Sequence, residues 1–135
     1  MAESERHFIV HRNEWIWGRT WVIVCDDGSG IIKISQDEED GVVLSGLSVL
    51  PEFRHKGIGT SLVREAERIV GEEIVAGEDI TLSVESWNKE LIGWYTKLGF
   101  CVYDYDSDYT YLIMVAREIE KFSDNKTQGK KHKKK

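Results

Sequence analysis

Proline is almost missing from this chain: Pro51 is the only one among 135 residues. No proline-rich linker divides the sequence, and its length suits one domain of ordinary size. Long apolar runs are missing too. Nothing approaches the roughly 18 apolar residues that cross a bilayer, so no membrane span is expected. The N-terminus, MAESERHF, is polar and lacks an apolar signal segment. Secretion is therefore disfavoured and a cytoplasmic protein is expected. Cysteine is scarce. Cys25 and Cys101 each sit in an apolar, strand-like run, which suits buried thiols better than a disulfide or a metal site. The histidines, at 7, 11, 55 and 132, keep no ligand spacing, so no metal is expected.

What is present is enough apolar material for a core. Hydrophobic residues make up 41% of the chain, which excludes global disorder. The charge is divided unevenly. Residues 121–135 carry seven lysines and one aspartate, or +6, so the net −6 leaves −12 for the rest. An acidic surface discourages nucleic acid and favours cationic partners, and it also serves plain solubility. From Lys121 onward no apolar periodicity survives. The expectation is one domain over 1–120 and a disordered lysine-rich tail over 121–135.

Along the domain, HFIVHR (7–12) reads as a short strand. EWIWGRTWVIVCDD (14–27) is rich in tryptophan and β-branched residues and reads as another. GSG (28–30) turns it into IIKIS (31–35) as a hairpin. GVVLSGLSVL (41–50) is a long apolar strand ended by Pro51. Ile58, Leu62, Ala66, Ile69 and Val70 then recur at helical spacing, with Gly71 as a stop. DITLSVES (79–86) is a strand, and Asn88 caps a second helix with the stripe Leu91, Tyr95, Leu98. Gly99 ends that helix. FCVYD (100–104) and TYLIMVA (110–116) form a last hairpin. The strand–helix–strand passage sets 42–50 parallel to 79–86. The fold expected is α+β, a mixed sheet of six or seven strands.

The stretch RHKGIGTSL (54–62) lies between a strand and a helix. The first amides of a helix lack intrahelical partners, and its dipole adds positive charge. Gly57 and Gly59 allow close backbone approach, and Arg54, His55 and Lys56 add charge. Such a loop can cradle a pyrophosphate, or be an ordinary turn. It is neither a Rossmann fingerprint, because residue 62 is leucine, nor a Walker loop, because its lysine precedes the glycine.

The wider segment, VLPEFRHKGIGTSL (49–62), resembles the pyrophosphate-binding segment of the GNAT superfamily of acyl-CoA N-acyltransferases. Arg54, Gly57 and Gly59 match that pattern, as do Val49 and Pro51 in its lead-in. LSVESWNKELIGWYTKLGF (82–100) resembles the family's later strand and helix, with Asn88, Tyr95 and Leu98-Gly99-Phe100 in place. The resemblance covers residues 20–116. It implies transfer of an acetyl group from acetyl-CoA to an amine. It implies a splayed parallel pair at the sheet's centre, flanked by helices. It assigns the acetyl-CoA contacts to Leu47, Ser48, Val49, Arg54, His55, Lys56, Gly57, Ile58, Gly59, Thr60, Asn88 and Tyr95. Gly46 could mark the bulge that opens the pair. An amide of Leu47 or Val49 would hold the oxyanion. Tyr95 would be the acid that meets the departing thiolate, or else a core residue on its stripe.

Two departures from the family's pattern stand out. Ser83 on the later strand cannot serve alone as base, and the earlier strand offers Leu44, Ser45 and Gly46 with no carboxylate. Glu85 is nearby. A water relay, or an amine that arrives neutral, is expected. The helices that usually wall the acceptor site are shortened or absent here. A homodimer could then close the groove, lined or packed by Trp15, Trp17 and Trp21. The turn Asp104–Tyr109, with three aspartates, could receive a cationic amine, either a protein N-terminus, a lysine or a small polyamine-like molecule. A non-catalytic acyl-CoA sensor or scaffold is the alternative reading.

Overall fold

The computed structural model describes residues 6–74 and 78–115. The expected tail, 121–135, lies outside them. Seven strands form one sheet in the order β1-β2-β3-β4-β5-β7-β6. In chain order they are β1 (Phe8–Trp15), β2 (Gly18–Cys25), β3 (Gly30–Asp37), β4 (Gly41–Val49), β5 (Ile80–Glu85), β6 (Cys101–Tyr105) and β7 (Tyr109–Met114). Helix α1 (Ile58–Glu73) connects β4 to β5, and α2 (Lys89–Lys97) connects β5 to β6. Every neighbouring pair is antiparallel except β4–β5.

Strand alternation decides which face is covered. Ile23, Ile32, Ile34, Val42, Leu44, Ile80, Leu82, Leu112 and Met114 are buried in one cluster with Leu62, Val63, Ala66 and Ile69 of α1 and Tyr95 of α2. Both helices thus lie on that face. Their partners one residue along, such as Val22, Val43 and Ile113, are only half-buried, and Ile31, Ser45, Ser83 and Glu85 are exposed. No described helix covers this second face.

Four local expectations are corrected. The run 14–27 is not one strand: Ile16 and Trp17 turn between β1 and β2, where Trp15 faces Gly18 across the hairpin. A Cβ on Gly18 would come within 2.3 Å of the Gln36 carbonyl oxygen, so only glycine lets β2 and β3 approach there. Gly71 does not stop α1, which runs to Glu73 because Val70 and Ile74 on either side still bury apolar surface. Cys25 is buried as expected, but Cys101 is exposed. It opens β6, an edge strand that pairs on one side only and whose five residues are all exposed. Of the three tryptophans, Trp21 is buried, whereas Trp15 and Trp17 stand at the exposed hairpin tip.

Candidate active site

The parallel pair at the sheet's centre is barely a pair. β4 and β5 align only at Val42–Ile80 and Val43–Thr81. From Leu44 to Val49 the edge of β4 toward β5 has no strand partner among the described residues. A bulge lies on the other edge of β4, just beyond the last closed pair. Between Ile31 and Lys33, β3 has one residue where β4 has two, Gly46 and Leu47. Gly46 takes φ +69°, a left-handed value that suits a residue without Cβ. This bulge shifts the alternation by one residue. Leu47 and Val49 therefore turn toward the helix side and pack on the core, while Ser48 is exposed. The gap places free β4 backbone beside the start of α1.

That start carries the glycine loop. Pro51–Phe53 forms one 3-10 turn directly after β4. His55 and Gly57 both take positive φ, 62° and 84°, so the loop coils tightly before Ile58. Gly57 caps α1 without any side-chain hydrogen bond. The first helical bond runs from the Ser61 amide to the Gly57 carbonyl. The amides of Ile58, Gly59 and Thr60 precede it and have no intrahelical acceptor. Arg54, His55 and Lys56 are exposed around them. Arg54 also supports the loop itself. Its Nε donates to the Val49 carbonyl at 2.9 Å, tying the loop to the end of β4.

Gly59 turns out to answer two demands. A Cβ there would sit 3.3 Å from the Trp94 ring of α2. Its smallness lets the second helix close against the first, as well as leaving backbone open to a ligand. The sequence offered no sign of this contact, which joins residues 35 positions apart. A second tie joins the helices lower down. Arg64 grips both carboxylate oxygens of Glu67 at 2.9 Å and the Leu98 carbonyl at 3.1 Å. Burial pushes the Glu67 carboxyl up, and Arg64 pulls it back.

On α2, the Asn88 side chain accepts from the Leu91 amide and caps the helix. Tyr95 is 6% exposed and stands edge-on to Trp94 and Phe100, with ring centroids 4.9 and 5.6 Å away. Burial pushes its phenol up to about 12. A phenol so held keeps its proton at neutral pH and can offer it as a hydrogen bond to a developing thiolate.

β5 ends against the β6–β7 turn, held by Ser86, a residue whose role the sequence did not signal. Its amide donates to the Asp108 carbonyl, and its hydroxyl reaches the Asp106 carbonyl and Thr110. The three aspartates differ. Asp106 accepts from the amides of Asp108 and Tyr109, which hold its carboxyl below the usual range. It shapes the turn. Asp104 accepts from the Tyr105 amide, and the carboxylate of Asp108 is exposed to solvent. Tyr111 beside them is pushed up, first by lost hydration, then by Asp106 and Asp104. Glu85, exposed, is cross-strand from Tyr109. By alternation it shares the uncovered face with Ser83, so its side, open in the sequence, is now assigned. No group of side chains able to hold a metal occurs among the described residues.

Comparison with known proteins follows the same lines. The profile of the acetyltransferase (GNAT) family matches residues 2–100. Among solved structures, nourseothricin acetyltransferase is 25% identical, with a TM-score of 0.58 over 73% of this chain and 65% of that one. The PaiA N-acetyltransferase of Thermoplasma acidophilum, solved with coenzyme A, is 27% identical, with a TM-score of 0.60 over 71% of this chain and 59% of its own. The spermidine N-acetyltransferase of Vibrio cholerae, solved with CoA and spermine, shares the fold at 15% identity and a TM-score of 0.61, over 76% of this chain and 68% of that one. The chain thus spans about two thirds or less of the first two. No curated protein sequence matches it.

Proposed function

The chain belongs to the acetyltransferase (GNAT) family, and from that premise we propose that it moves an acetyl group from acetyl-CoA to a primary amine. The observation that carries this reading is the central gap: β4 and β5 part after Val43–Thr81, directly beside the glycine-capped start of α1. Pyrophosphate would meet the amides of Ile58, Gly59 and Thr60, with Arg54, His55, Lys56 and Gly57 around it. The pantetheine amides would bond the free edge of β4 at Leu47, Ser48 and Val49, much as an added strand does. Asn88 would contact the same arm.

Acetyl-CoA supplies the thioester. The amine nitrogen attacks its carbonyl carbon, and a β4 amide at Leu47 or Val49 holds the oxyanion. The C–S bond then breaks, and the Tyr95 hydroxyl gives its proton to the thiolate. The proton lost by the ammonium leaves through water on the uncovered face, where Glu85 is the carboxylate of β5. The acceptor is a cationic amine, drawn by Asp104 and Asp108 and by the acidic domain. The sensor reading keeps one observation in its favour: Leu44, Ser45 and Gly46 bring no base to the gap.

Titration calorimetry with acetyl-CoA tests the cradle. Thr60→Glu puts a carboxylate in the first turn of α1. That charge suits the helix dipole, so the fold should hold, yet it repels phosphate. We expect affinity to fall at least about tenfold, on the order of one unfavourable close charge pair in a half-buried site. Unchanged affinity would move the pyrophosphate elsewhere. Release of free thiol on adding a polyamine separates catalyst from sensor.

A further inference from the structure

The lysine-rich segment is the feature that the site leaves unused. Three observations tie it to the gap. First, topology delivers it there. β7 ends at Met114, in register with Ile80, which is itself in register with Val42. The chain therefore leaves the sheet beside the last closed pairs of β4 and β5, next to where they part.

Second, the length is right. Lys121 and Lys126 follow Val115 by six and eleven residues. At roughly 3.3–3.6 Å per residue they reach about 20 and about 38 Å. The whole of β5 spans only about 20 Å. Both lysines can reach any point along the gap from the uncovered face, on which no described element stands in the way.

Third, the charges complement. Residues 121–135 carry +6 against −12 for the rest. The β6–β7 turn at the C-terminal end of β5 exposes Asp108, Asp104 is exposed next to it on β6, and Glu85 ends β5.

We propose that the chain acetylates its own C-terminal lysines, among Lys121, Lys126, Lys130, Lys131, Lys133, Lys134 and Lys135. The inference rests on the acetyltransferase reading above. In each turnover the lysine Nζ, after losing a proton to water, forms an N–C bond to the acetyl carbon. The C–S bond breaks, the CoA thiolate takes a proton from Tyr95, and water returns a proton to the phenolate. Tethering matters because a free lysine is overwhelmingly protonated at neutral pH, its pKa being about 10.4. A tether of this length holds the amine at an effective concentration on the order of millimolar, so a lysine that loses its proton is already at the site. Each acetyl removes one positive charge, so the acidic turn releases a modified lysine and the reaction proceeds along the segment.

The test incubates the full chain with acetyl-CoA and no added amine, then maps acetyl groups by peptide mass spectrometry. We expect them on the C-terminal lysines and not on Lys33, Lys56, Lys89 or Lys97. The rate per chain should not change with protein concentration. Asp104→Asn with Asp108→Asn should slow the modification about threefold or more and leave acetyl-CoA affinity unchanged. Changing the seven lysines to arginine should abolish it while acetylation of free spermidine continues. Three results would overturn the proposal. An unmodified segment in a chain that acetylates spermidine would do so and leave the transferase reading standing. Equal modification of Thr60→Glu would mean reaction with acetyl-CoA unaided by the site. A rate per chain that rises in proportion to protein concentration would make a second copy the acceptor. Failure to bind acetyl-CoA at all would instead sink the transferase reading, and this one with it.

Discussion

The two faces of the sheet are built from the same strands and follow different rules. On the helix side, most alternate residues of β2, β3, β4, β5 and β7 are buried, and most of these are aliphatic. On the other side, the intervening residues include Lys33, Ser45, Ser83, Glu85 and Tyr111, half-buried or exposed. The first face holds the domain together, so its chemistry is uniform. The second carries little of the fold's stability and is free to hold charge beside the gap. The bulge at Gly46 is where the two meet. It turns Leu47 and Val49 into the core just beyond the last closed pair of β4 and β5.

The sharpest way to break this comparison is a matched pair of truncations. Leu62→Ala on α1 removes a fully buried side chain and should cost about 3 kcal/mol. Val43→Ala on the uncovered face is expected to cost about 1 kcal/mol or less, since much of Val43 already meets water. Urea denaturation reads both. Comparable losses would mean that the second face is covered in solution, by another copy or by another part of the chain.

The next effect concerns chemistry rather than stability. Tyr95 packs on the covered face, so it helps to hold the fold whatever else it does. Tyr95→Phe keeps the ring and its contacts with Trp94 and Phe100 and removes only the hydroxyl. Turnover should fall at least about tenfold, equivalent to about 1.4 kcal/mol of barrier, with the melting temperature nearly unchanged. A full-speed Tyr95→Phe enzyme would leave Tyr95 as core alone. The pH profile adds a second reading. With its phenol pushed up to about 12, Tyr95 stays protonated, so wild-type turnover should not decline between pH 7 and pH 9 through loss of this proton.

The covered face was legible in the sequence because period-two and helical spacing both report burial. Gly46 was legible as a bulge because a glycine interrupts an otherwise apolar strand. The glycine turn that starts α1 was legible because its parts are contiguous, from Arg54 to Thr60. The hairpin at Ile16 and Trp17 was not. Both residues favour strands, and the glycine beside the turn, Gly18, is required by the distant Gln36 carbonyl and not by the turn itself. The Gly59–Trp94 contact is likewise non-local. Asp106 is a different case: aspartate two residues before another polar turn residue often bonds the backbone. That reading would have separated it from Asp104 and Asp108.

The smallest effect lies where the edge strand β1 is tied to the covered face. Glu73, at the end of α1, accepts from Arg12 of β1 and from the Trp21 indole, 2.9 Å away. Arg12 above all, and Trp21 with it, hold the Glu73 carboxyl down at about 2. Its folded value thus lies below its unfolded one, near 4.3. Stability from this tie is complete above the unfolded value and drains away as pH falls toward 2. Arg12 is half exposed, so solvent screens the pair and its share is expected below about 1 kcal/mol. Glu73→Gln should keep an acceptor for Trp21 and flatten the stability profile between pH 5 and pH 2 by that amount, with no effect on acetyl-CoA affinity. A steeper loss in the variant than in wild type would contradict the sign. A change in affinity would mean that the end of α1 remote from the glycine loop speaks to the site, and the division between holding face and working face would then not be clean.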